Sequence, residues 1–261
     1  GTMEAASTWA DEIRDERPQT ERWHFVDIEI SAPGYDASRD CPGGNCVVAQ
    51  ILRDERLVAD RRLARPVRAE ALRFLIHFVG DLHQPLHCAD HHDRGGNSVR
   101  VRLDGKETNL HALWDTAIVA SLGDDPAAVS ASLNAAITPQ QAAAWSRGGP
   151  ADWANESFTV AKYDIYGPLH GAGGEGEVIR LPDDYAIREQ PQVAEQLEKA
   201  GVRLAMVLNN VFSASSVPAV STMNTAATSS VTGAASPSRV ATSASPGAAD
   251  SAGAASGGVI A

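Results

Sequence analysis

The segment 67–82 constrains the fold more than any other part of the chain. Its side chains are apolar on nearly every helical face, which is typical of a helix buried all round. It nevertheless contains His77 and Asp81, which their four-residue spacing places on the same face. Because buried ionisable groups cost free energy unless they are paired or bound, the segment predicts a central helix that holds either a hydrogen-bonded core pair or a ligand.

The same His-x-x-x-Asp spacing recurs at His111 and Asp115, on a helix predicted to begin at residue 109. His87 follows a proline that ends or kinks the first helix, and His24 and Asp11 lie upstream. Imidazole nitrogens and carboxylate oxygens together form a ligand set that zinc accepts. Two His–Asp pairs of equal spacing, with further histidines available, favour a multinuclear metal centre over the alternative of two separate core pairs.

The rest of the sequence indicates a mainly α protein. Apolar residues recur at helical spacing along the chain, without an internal repeat. A short alternating strand at 99–103 turns at Asp104 and Gly105. The predicted helices cover residues 7–14, capped by Ser7 or Thr8, then 47–64, 109–122, 153–166 and 192–212, with one or two more within 126–145.

Composition limits the class of protein further. The formal net charge of −11 argues against a large basic surface wrapped around duplex nucleic acid. It does not exclude a nucleic-acid substrate, because carboxylates gathered around divalent cations present a locally positive site. No run reaches the roughly 18 apolar residues of a membrane helix, so no membrane span is expected. Residues 213–261, dominated by Ala, Ser, Thr, Gly and Pro, are expected to form a disordered tail after a folded domain of residues 1–212.

The three cysteines give a hint about the compartment. Cys41 and Cys46 lie close together in a loop rich in turn residues, which favours a small disulfide and an oxidising environment. The alternative is two free thiols or soft metal ligands. Cys88 has no partner at a suggestive spacing and is expected to be a small buried filler.

Several long motifs together resemble one known family, the zinc-dependent single-strand nucleases and 3′-nucleotidases of fungi, plants and bacteria. This family shares its fold with the bacterial zinc-dependent phospholipases C, and the resemblance covers residues 7–212. The motifs are FLIHFVGDLHQPLH at 74–87, GGN at 95–97 and NLHALWD at 109–115, together with WAD at 9–11, HFVD at 24–27, RDCPGGNC at 39–46, WANES at 153–157 and AGVRLA at 200–205.

The resemblance implies a three-zinc centre within a single multi-helix domain. It assigns two sets of ligands, which are Asp11, His24, His77 and Asp81 for one ion, and His87, His111 and Asp115 for a second. Asp81 would also bridge to a third ion. The family's other ligands for that ion, a Trp at the mature N-terminus and a His shortly after it, have no counterpart before Asp11. We therefore expect an N-terminal segment, with a signal peptide, to be missing here; the alternative is a two-zinc site.

The implied activity is hydrolysis of phosphodiester bonds in single-stranded DNA and RNA, and of 3′-nucleotides, by a zinc-activated water. The resemblance makes Asp11 both a ligand and the base that orients this water. Phe25 and Asp27 match the family's base pocket, where an aromatic ring stacks on an unpaired nucleobase. Arg14 and Asn97 match positions that contact phosphate or sugar. A secreted or periplasmic monomer is expected.

Two other functions are left open by the sequence. A zinc-dependent phospholipase C has the same zinc arrangement, although that branch typically has Glu where this chain has Asp115. A metal-binding but catalytically silent helical domain would account for the absent third-zinc ligands. Among the remaining histidines, His83 is expected to be structural, His91 and His92 solvated, and His170 without a role.

Overall fold

The computed structural model describes residues 2–169 and 177–213. His170 and residues 214–261 of the predicted disordered tail 213–261 lie outside the described residues, while Ser213 ends the last helix. The prediction of a mainly α protein is confirmed. The helices are α1 (Met3–Glu12), α2 (Ala37–Asp40), α3 (Val47–Ala59), α4 (Arg65–Asp81), α5 (Leu110–Ala112), α6 (Ile118–Ala120), α7 (Pro126–Ala136), α8 (Pro139–Trp145), α9 (Pro150–Val160), α10 (Gly167–Leu169) and α11 (Tyr185–Ser213).

Helix α4 is packed against α1, α3 and α11, and its C-terminal half lies in the core. Phe74, Leu75 and Phe78 are almost completely buried. The prediction that this helix is buried on every face was wrong for its N-terminal half, where Val67 is 46 % exposed, because no neighbouring element covers that turn fully. The helix ends at Asp81, and Pro85 opens a separate 3-10 turn, Pro85–Cys88.

Four helices begin earlier than the sequence predicts, α4 and α9 by two or three residues and α1 and α11 by more. Helix α1 starts at Met3, where the Thr2 hydroxyl accepts a hydrogen bond from the backbone N–H of Ala5, so the predicted caps Ser7 and Thr8 lie inside the helix. Helix α11 starts at Tyr185 and continues through Pro191. Proline normally interrupts a helix, which is why the apolar pattern alone placed the start at residue 192.

Helices α5, α7 and α8 begin at side-chain caps. Asn109 accepts a hydrogen bond from the backbone N–H of Ala112 at 2.7 Å and so starts the turn that contains His111. Asp125 and Thr138 cap α7 and α8, each followed by a proline at the first helical position. The segment 126–145 thus forms two helices.

A small sheet lies beside the helices. Strand β1 (Arg100–Leu103) pairs antiparallel with β2 (Lys106–Asn109), with Arg100 opposite Asn109. Both turn residues of this hairpin, Asp104 and Gly105, have positive φ, as a tight two-residue turn requires. The predicted strand is therefore present, but the sequence did not predict β3 (Ile179–Arg180), which pairs parallel to β1 and completes the order β2-β1-β3.

The favoured predictions for the three cysteines, a disulfide and a buried free thiol, are confirmed. Cys41 and Cys46 form a disulfide, and Cys88 is buried, with its thiol directed at the Leu82 carbonyl oxygen. Burial raises the pKa of the Cys88 thiol, which keeps it protonated and unreactive. Among the described residues, no helix is long and apolar enough to cross a membrane.

Candidate metal centre

Four of the predicted ligands converge at one end of α4, and we call them the first ligand group. Asp11 comes from α1, His24 ends the 3-10 turn Pro18–His24, and α4 supplies the other two. Asp81 Oδ2 lies 3.0 Å from His24 Nδ1 and 3.0 Å from His77 Nε2. The carboxylate of Asp11 lies 3.5 Å from His24 Nδ1 and 3.6 Å from His77 Nε2. Tetrahedral zinc, with ligand bonds of about 2.0–2.2 Å, needs donor atoms about 3.3–3.5 Å apart, close to this spacing.

The remaining three predicted ligands, His87, His111 and Asp115, form the second ligand group. The imidazole rings of His87 and His111 are stacked with centroids 5.0 Å apart. Asp115 Oδ1 lies 3.5 Å from His87 Nε2, and its Oδ2 lies 3.2 Å from His111 Nε2. Both groups thus bring at least three potential ligand atoms within ion-binding distance.

Local structure explains how the second ligand group is presented. His87 belongs to the turn Pro85–Cys88, while Asp115 lies in the π-helical turn Leu113–Ala117. Trp114 is buried and donates its indole N–H to the Tyr185 hydroxyl at 3.2 Å, which anchors this turn against α11. Because Trp114 points inward, its neighbour Asp115 is left facing the cavity.

Three histidines are oriented by backbone carbonyl groups. The Nδ1 atoms of His77, His87 and His111 lie within hydrogen-bonding distance of the carbonyl oxygens of Ser7, His24 and Gly95, respectively. A carbonyl can only accept, so each Nδ1 carries a proton and each Nε2 faces the ligand group, where a bound metal ion would take the place of any proton on Nε2. This is the usual arrangement of histidines that bind metal ions.

Gly95 contributes through its backbone. Its φ of +61° is in the left-handed region, and a Cβ there would lie 2.6 Å from the Leu86 carbonyl oxygen. The loop therefore approaches the turn that contains His87 more closely than a side chain would allow. This close approach positions the Gly95 carbonyl oxygen that accepts the hydrogen bond from His111 Nδ1.

Asp81 connects the two groups. While its Oδ2 faces His24 and His77, its Oδ1 lies 3.5 Å from His87 Nδ1. The structure therefore brings together all seven residues predicted as ligands, with Asp81 between the two sets.

The charges of the two groups are balanced by protons on the protein itself. In the described part of the chain, the ion-pair partners of Asp81 and Asp115 are all histidines. Burial opposes ionisation of both carboxyls, but the neighbouring histidines outweigh it and lower the pKa of each. Burial likewise lowers the pKa of His77, yet the hydrogen bond and charge of Asp81 raise it to about 9.

This arrangement fits a divalent cation. Three carboxylates and four imidazoles meet without a lysine or arginine beside Asp81 or Asp115 among the described residues, so a bound cation would take the place of the protons. Mixed nitrogen and oxygen ligands at this spacing suit zinc. The residues present therefore fit the metal that the sequence predicted.

The predicted substrate residues line the same cavity, which has a volume of about 760 Å³. Arg14, Phe25, Asp27 and Asn97 all contribute to its wall. Arg14 pairs with Asp11 at 3.2 Å, and the Asn97 side chain donates to the Arg94 carbonyl oxygen. Burial, followed by the nearby charge of Asp90, raises the pKa of Asp27.

Sequence reasoning missed Arg22, whose side chain contacts both of the predicted base-binding residues, Phe25 and Asp27. Its guanidinium is 5.5 Å from the centroid of the Phe25 ring and donates to Asp27 Oδ2 at 3.2 Å. A single arginine in the 3-10 turn Pro18–His24 has no periodicity that distinguishes it from a solvated surface residue, so no signal in the sequence identified it.

A larger cavity of about 830 Å³ lies between α6, α7 and α11 and is mostly apolar. Val129, Leu133 and Leu197 are among its lining residues, which include no histidine or cysteine. The ligand chemistry therefore lies in the smaller cavity.

The other three histidines of the described residues lie outside the ligand groups. His83 is buried and contacts Arg203, as a structural residue would. His91 and His92 are exposed; His91 packs edge-on against Tyr166, and His92 lies 3.2 Å from Glu29.

Comparison with known proteins decides the family. Residues 1–213 match the family described as S1/P1 nuclease. The chain belongs to the S1/P1 nuclease family. Endonuclease 3 of Arabidopsis thaliana is 33 % identical over 240 residues, which cover 82 % of this chain and 78 % of the relative.

Two fungal members of the S1/P1 nuclease family match over a shorter region. Nuclease P1 of Penicillium citrinum is 39 % identical over 121 residues, which cover 44 % of each chain. Nuclease S1 of Aspergillus oryzae is 36 % identical over 118 residues, covering 42 % of this chain and 39 % of the relative.

Proposed function

We propose that this chain is a zinc-dependent nuclease that hydrolyses phosphodiester bonds in single-stranded DNA and RNA, and that also acts on 3′-nucleotides. The observation that carries the proposal is the meeting of two ligand groups, connected by Asp81, in a cavity that Phe25 and Asp27 also line. The similar proteins named nuclease and endonuclease support the same class of reaction.

The ligands define what the metal would do. Zinc held by the two groups would make a water molecule acidic near neutral pH and offset negative charge on the phosphoryl oxygens. Asp11 is the ligand best placed to act as a base, because its side chain is 54 % exposed and reaches the cavity. Arg14, paired with that carboxylate, presents a positive charge where a phosphate would enter.

Selection of unpaired bases would depend on Phe25. A base can stack on this ring only when it is free of its partner strand, which accounts for a preference for single strands. Asp27 can accept a hydrogen bond from the edge of the base, and Asn97 lies where it can contact phosphate or sugar. Arg22 lies over the Phe25 ring and so contributes to the shape of the base site.

We also propose a secreted or periplasmic location. The support is the disulfide between Cys41 and Cys46, since such bonds persist mainly in oxidising compartments.

The first experiment compares His87→Ala with His92→Asn on single-stranded DNA, duplex DNA and lecithin. His92 is an exposed histidine with φ of 58°, a conformation that Asn tolerates, so its variant controls for the loss of an imidazole. We expect the wild type and the control to cleave single strands preferentially, and His87→Ala to lose about 10²-fold or more of the rate. Release of phosphocholine from lecithin instead would favour a phospholipase C. Zinc binding without hydrolysis of any substrate would indicate the silent domain.

A second experiment separates base recognition from chemistry. Phe25→Ala is expected to raise KM for single-stranded DNA about 10-fold, because stacking contributes about 1–3 kcal/mol per base. The rate on bis(p-nitrophenyl) phosphate, which has no nucleobase, should be unchanged. Phe212→Ala removes an exposed ring on α11 and is the matched control. An unchanged KM in the Phe25 variant would remove Phe25 from the base site.

A further inference from the structure

Gln84 lies between the two elements that present the second ligand group. It follows α4 by three residues and immediately precedes the turn Pro85–Cys88, which contains His87. Its side-chain Oε1 accepts a hydrogen bond from the backbone N–H of Leu86 at 2.5 Å. Its Nε2 donates to Asp115 Oδ1 at 2.7 Å, across 31 residues of sequence. One amide group therefore bridges the turn of one ligand and the side chain of another.

The first of these hydrogen bonds fixes the direction of the second. Because Oε1 is held by the Leu86 N–H, the NH₂ end of the amide must face Asp115. The opposite orientation would place an amide oxygen against a carboxylate oxygen, with no proton between them. Gln84 is thus locked as a donor toward Asp115, and an amide nitrogen in this role does not itself bind a cation.

The hydrogen bond also distinguishes the two oxygens of Asp115. Oδ1 receives the amide, whereas Oδ2 lies 3.2 Å from His111 Nε2. Occupying one oxygen restricts rotation of the carboxylate and leaves Oδ2 as the better ligand atom. The same amide sets the distance between Asp115 and the turn that carries His87, whose Nε2 is 3.5 Å from Oδ1.

We propose that Gln84 is a positioning residue for the second ligand group, which orients Asp115 and fixes it to the turn carrying His87. The proposal rests on the proposed function only in requiring that this group binds a metal ion. Backbone carbonyl groups orient the imidazole rings of His87 and His111 in the same ligand group. Gln84 would orient the carboxylate of Asp115 in the same way.

The test measures zinc affinity in two variants and one control. Gln84→Met removes both hydrogen bonds at similar volume, and we expect one zinc ion per chain to bind about 10–100-fold more weakly while the other is unaffected. Gln140→Glu, at an exposed position of α8, should bind as the wild type does. Competition with a chromogenic chelator gives the affinities, and the visible spectrum of Co²⁺-loaded protein reports the geometry of the weakened site.

Gln84→Glu supplies a signature that a loss of packing would not produce. Glu can still accept from Leu86, but it can donate to Asp115 only when it is protonated. The visible spectrum of its Co²⁺-loaded form, which reports the geometry of the second ligand group, should therefore depart further from that of the wild type as the pH rises from 5 to 8. This variant also keeps the test decisive if Gln84→Met does not fold, as judged by circular dichroism.

The possible outcomes separate the two proposals. Two ions in the wild type, with wild-type affinity in Gln84→Met and a wild-type Co²⁺ spectrum at every pH in Gln84→Glu, would overturn the role of Gln84 alone. An equal loss of affinity for both zinc ions in the Gln84 variants would contradict the assignment of Gln84 to the second ligand group. No zinc in the wild type would overturn the proposed function as well.

Discussion

His77 and His83 lie six residues apart in sequence, and both are nearly buried, at 8 % and 3 % exposure. His83 contacts Arg203, whose guanidinium also binds both oxygens of Glu156, and we call these three residues the Arg203 cluster. His77 instead faces Asp81 within the first ligand group. The chain therefore places a histidine and a carboxylate in both regions, but only the Arg203 cluster also contains a permanently positive side chain, that of Arg203.

The difference appears in the protonation of the two rings. Burial lowers the pKa of His83 to about 3, against the effect of its hydrogen bond to the Val79 carbonyl, and Arg203 lowers it further. The ring is neutral, so its Nε2 can accept from Arg203. Asp81 raises the pKa of His77 to about 9, and in the absence of metal that ring is protonated. The comparison teaches that charge balance, rather than residue type, separates a structural cluster from a candidate metal site.

The largest expected effect comes from Asp81→Asn. Removing this charge should lower the rate on single-stranded DNA by about 10³-fold or more, because the carboxylate belongs to the first ligand group and also contacts His87 of the second. The folded state should persist, as shown by an unchanged circular dichroism spectrum. Initial rates measured at saturating zinc provide the test.

Glu156→Gln makes the same chemical change in the Arg203 cluster and is the matched control. It should keep wild-type zinc content and at least half of the activity. A loss of zinc comparable to that of Asp81→Asn would break the distinction between the two regions.

The next largest effect is on stability. Arg203 is 2 % exposed and contacts His83, Glu156 and the Trp145 carbonyl oxygen. Arg203→Met would leave these polar groups without their cation, and we expect the free energy of unfolding to fall by about 3–5 kcal/mol. Urea denaturation measures it, with zinc present throughout.

The control for this variant is Arg188→Met, which breaks an exposed ion pair with Asp184. Such pairs contribute about 0–1 kcal/mol, so little change is expected. Equal destabilisation by the two variants would show that the Arg203 cluster has no special structural role.

A smaller effect should appear in how the free energy of unfolding of the metal-free protein depends on pH. Because the pKa of His77 rises to about 9 on folding from its ordinary 6.5, its stabilising contribution is complete below pH 6.5 and is lost as the pH rises through 9. The expected change is up to about 3 kcal/mol. His87, whose pKa is also raised despite its burial, adds in the same direction.

His83 should act with the opposite sign. Its pKa falls on folding to about 3, so its contribution is present above pH 6.5 and is lost as the pH falls toward 3. Urea denaturation across the pH range measures both slopes, and His77→Gln should reduce only the alkaline one. A wild-type curve that is flat between pH 6.5 and 9 would contradict the charge assignment of the first ligand group.

Much of the candidate metal centre could be predicted from the sequence, because four of its seven proposed ligands lie in two helical motifs of equal spacing. His77 with Asp81, and His111 with Asp115, each share a helix face at four-residue separation. The strand at 99–103 and its turn at 104–105 were likewise predictable, since alternation and turn residues are local signals. Strand β3 was not, because its two residues pair with β1 across more than 70 positions of sequence.

The residues that support the ligands were harder to predict. The contact from Gln84 to Asp115 spans 31 residues and depends on where two turns meet, which no local pattern encodes. Arg203 could have been found, since it lies three residues after Ala200 and four before Val207 on the apolar stripe of α11. An arginine at such a position is buried and needs acidic or polar partners.

The most direct measurement of the central claim is a zinc titration of chelator-treated protein, followed by metal analysis and thermal unfolding. We predict at least two zinc ions per chain and a Tm that rises with zinc concentration, by an amount corresponding to about 2.7 kcal/mol at 100 times Kd. Asp81→Asn should show a smaller rise and Glu156→Gln the full one. A wild-type protein that binds no zinc, and whose Tm is unchanged by it, would contradict the account.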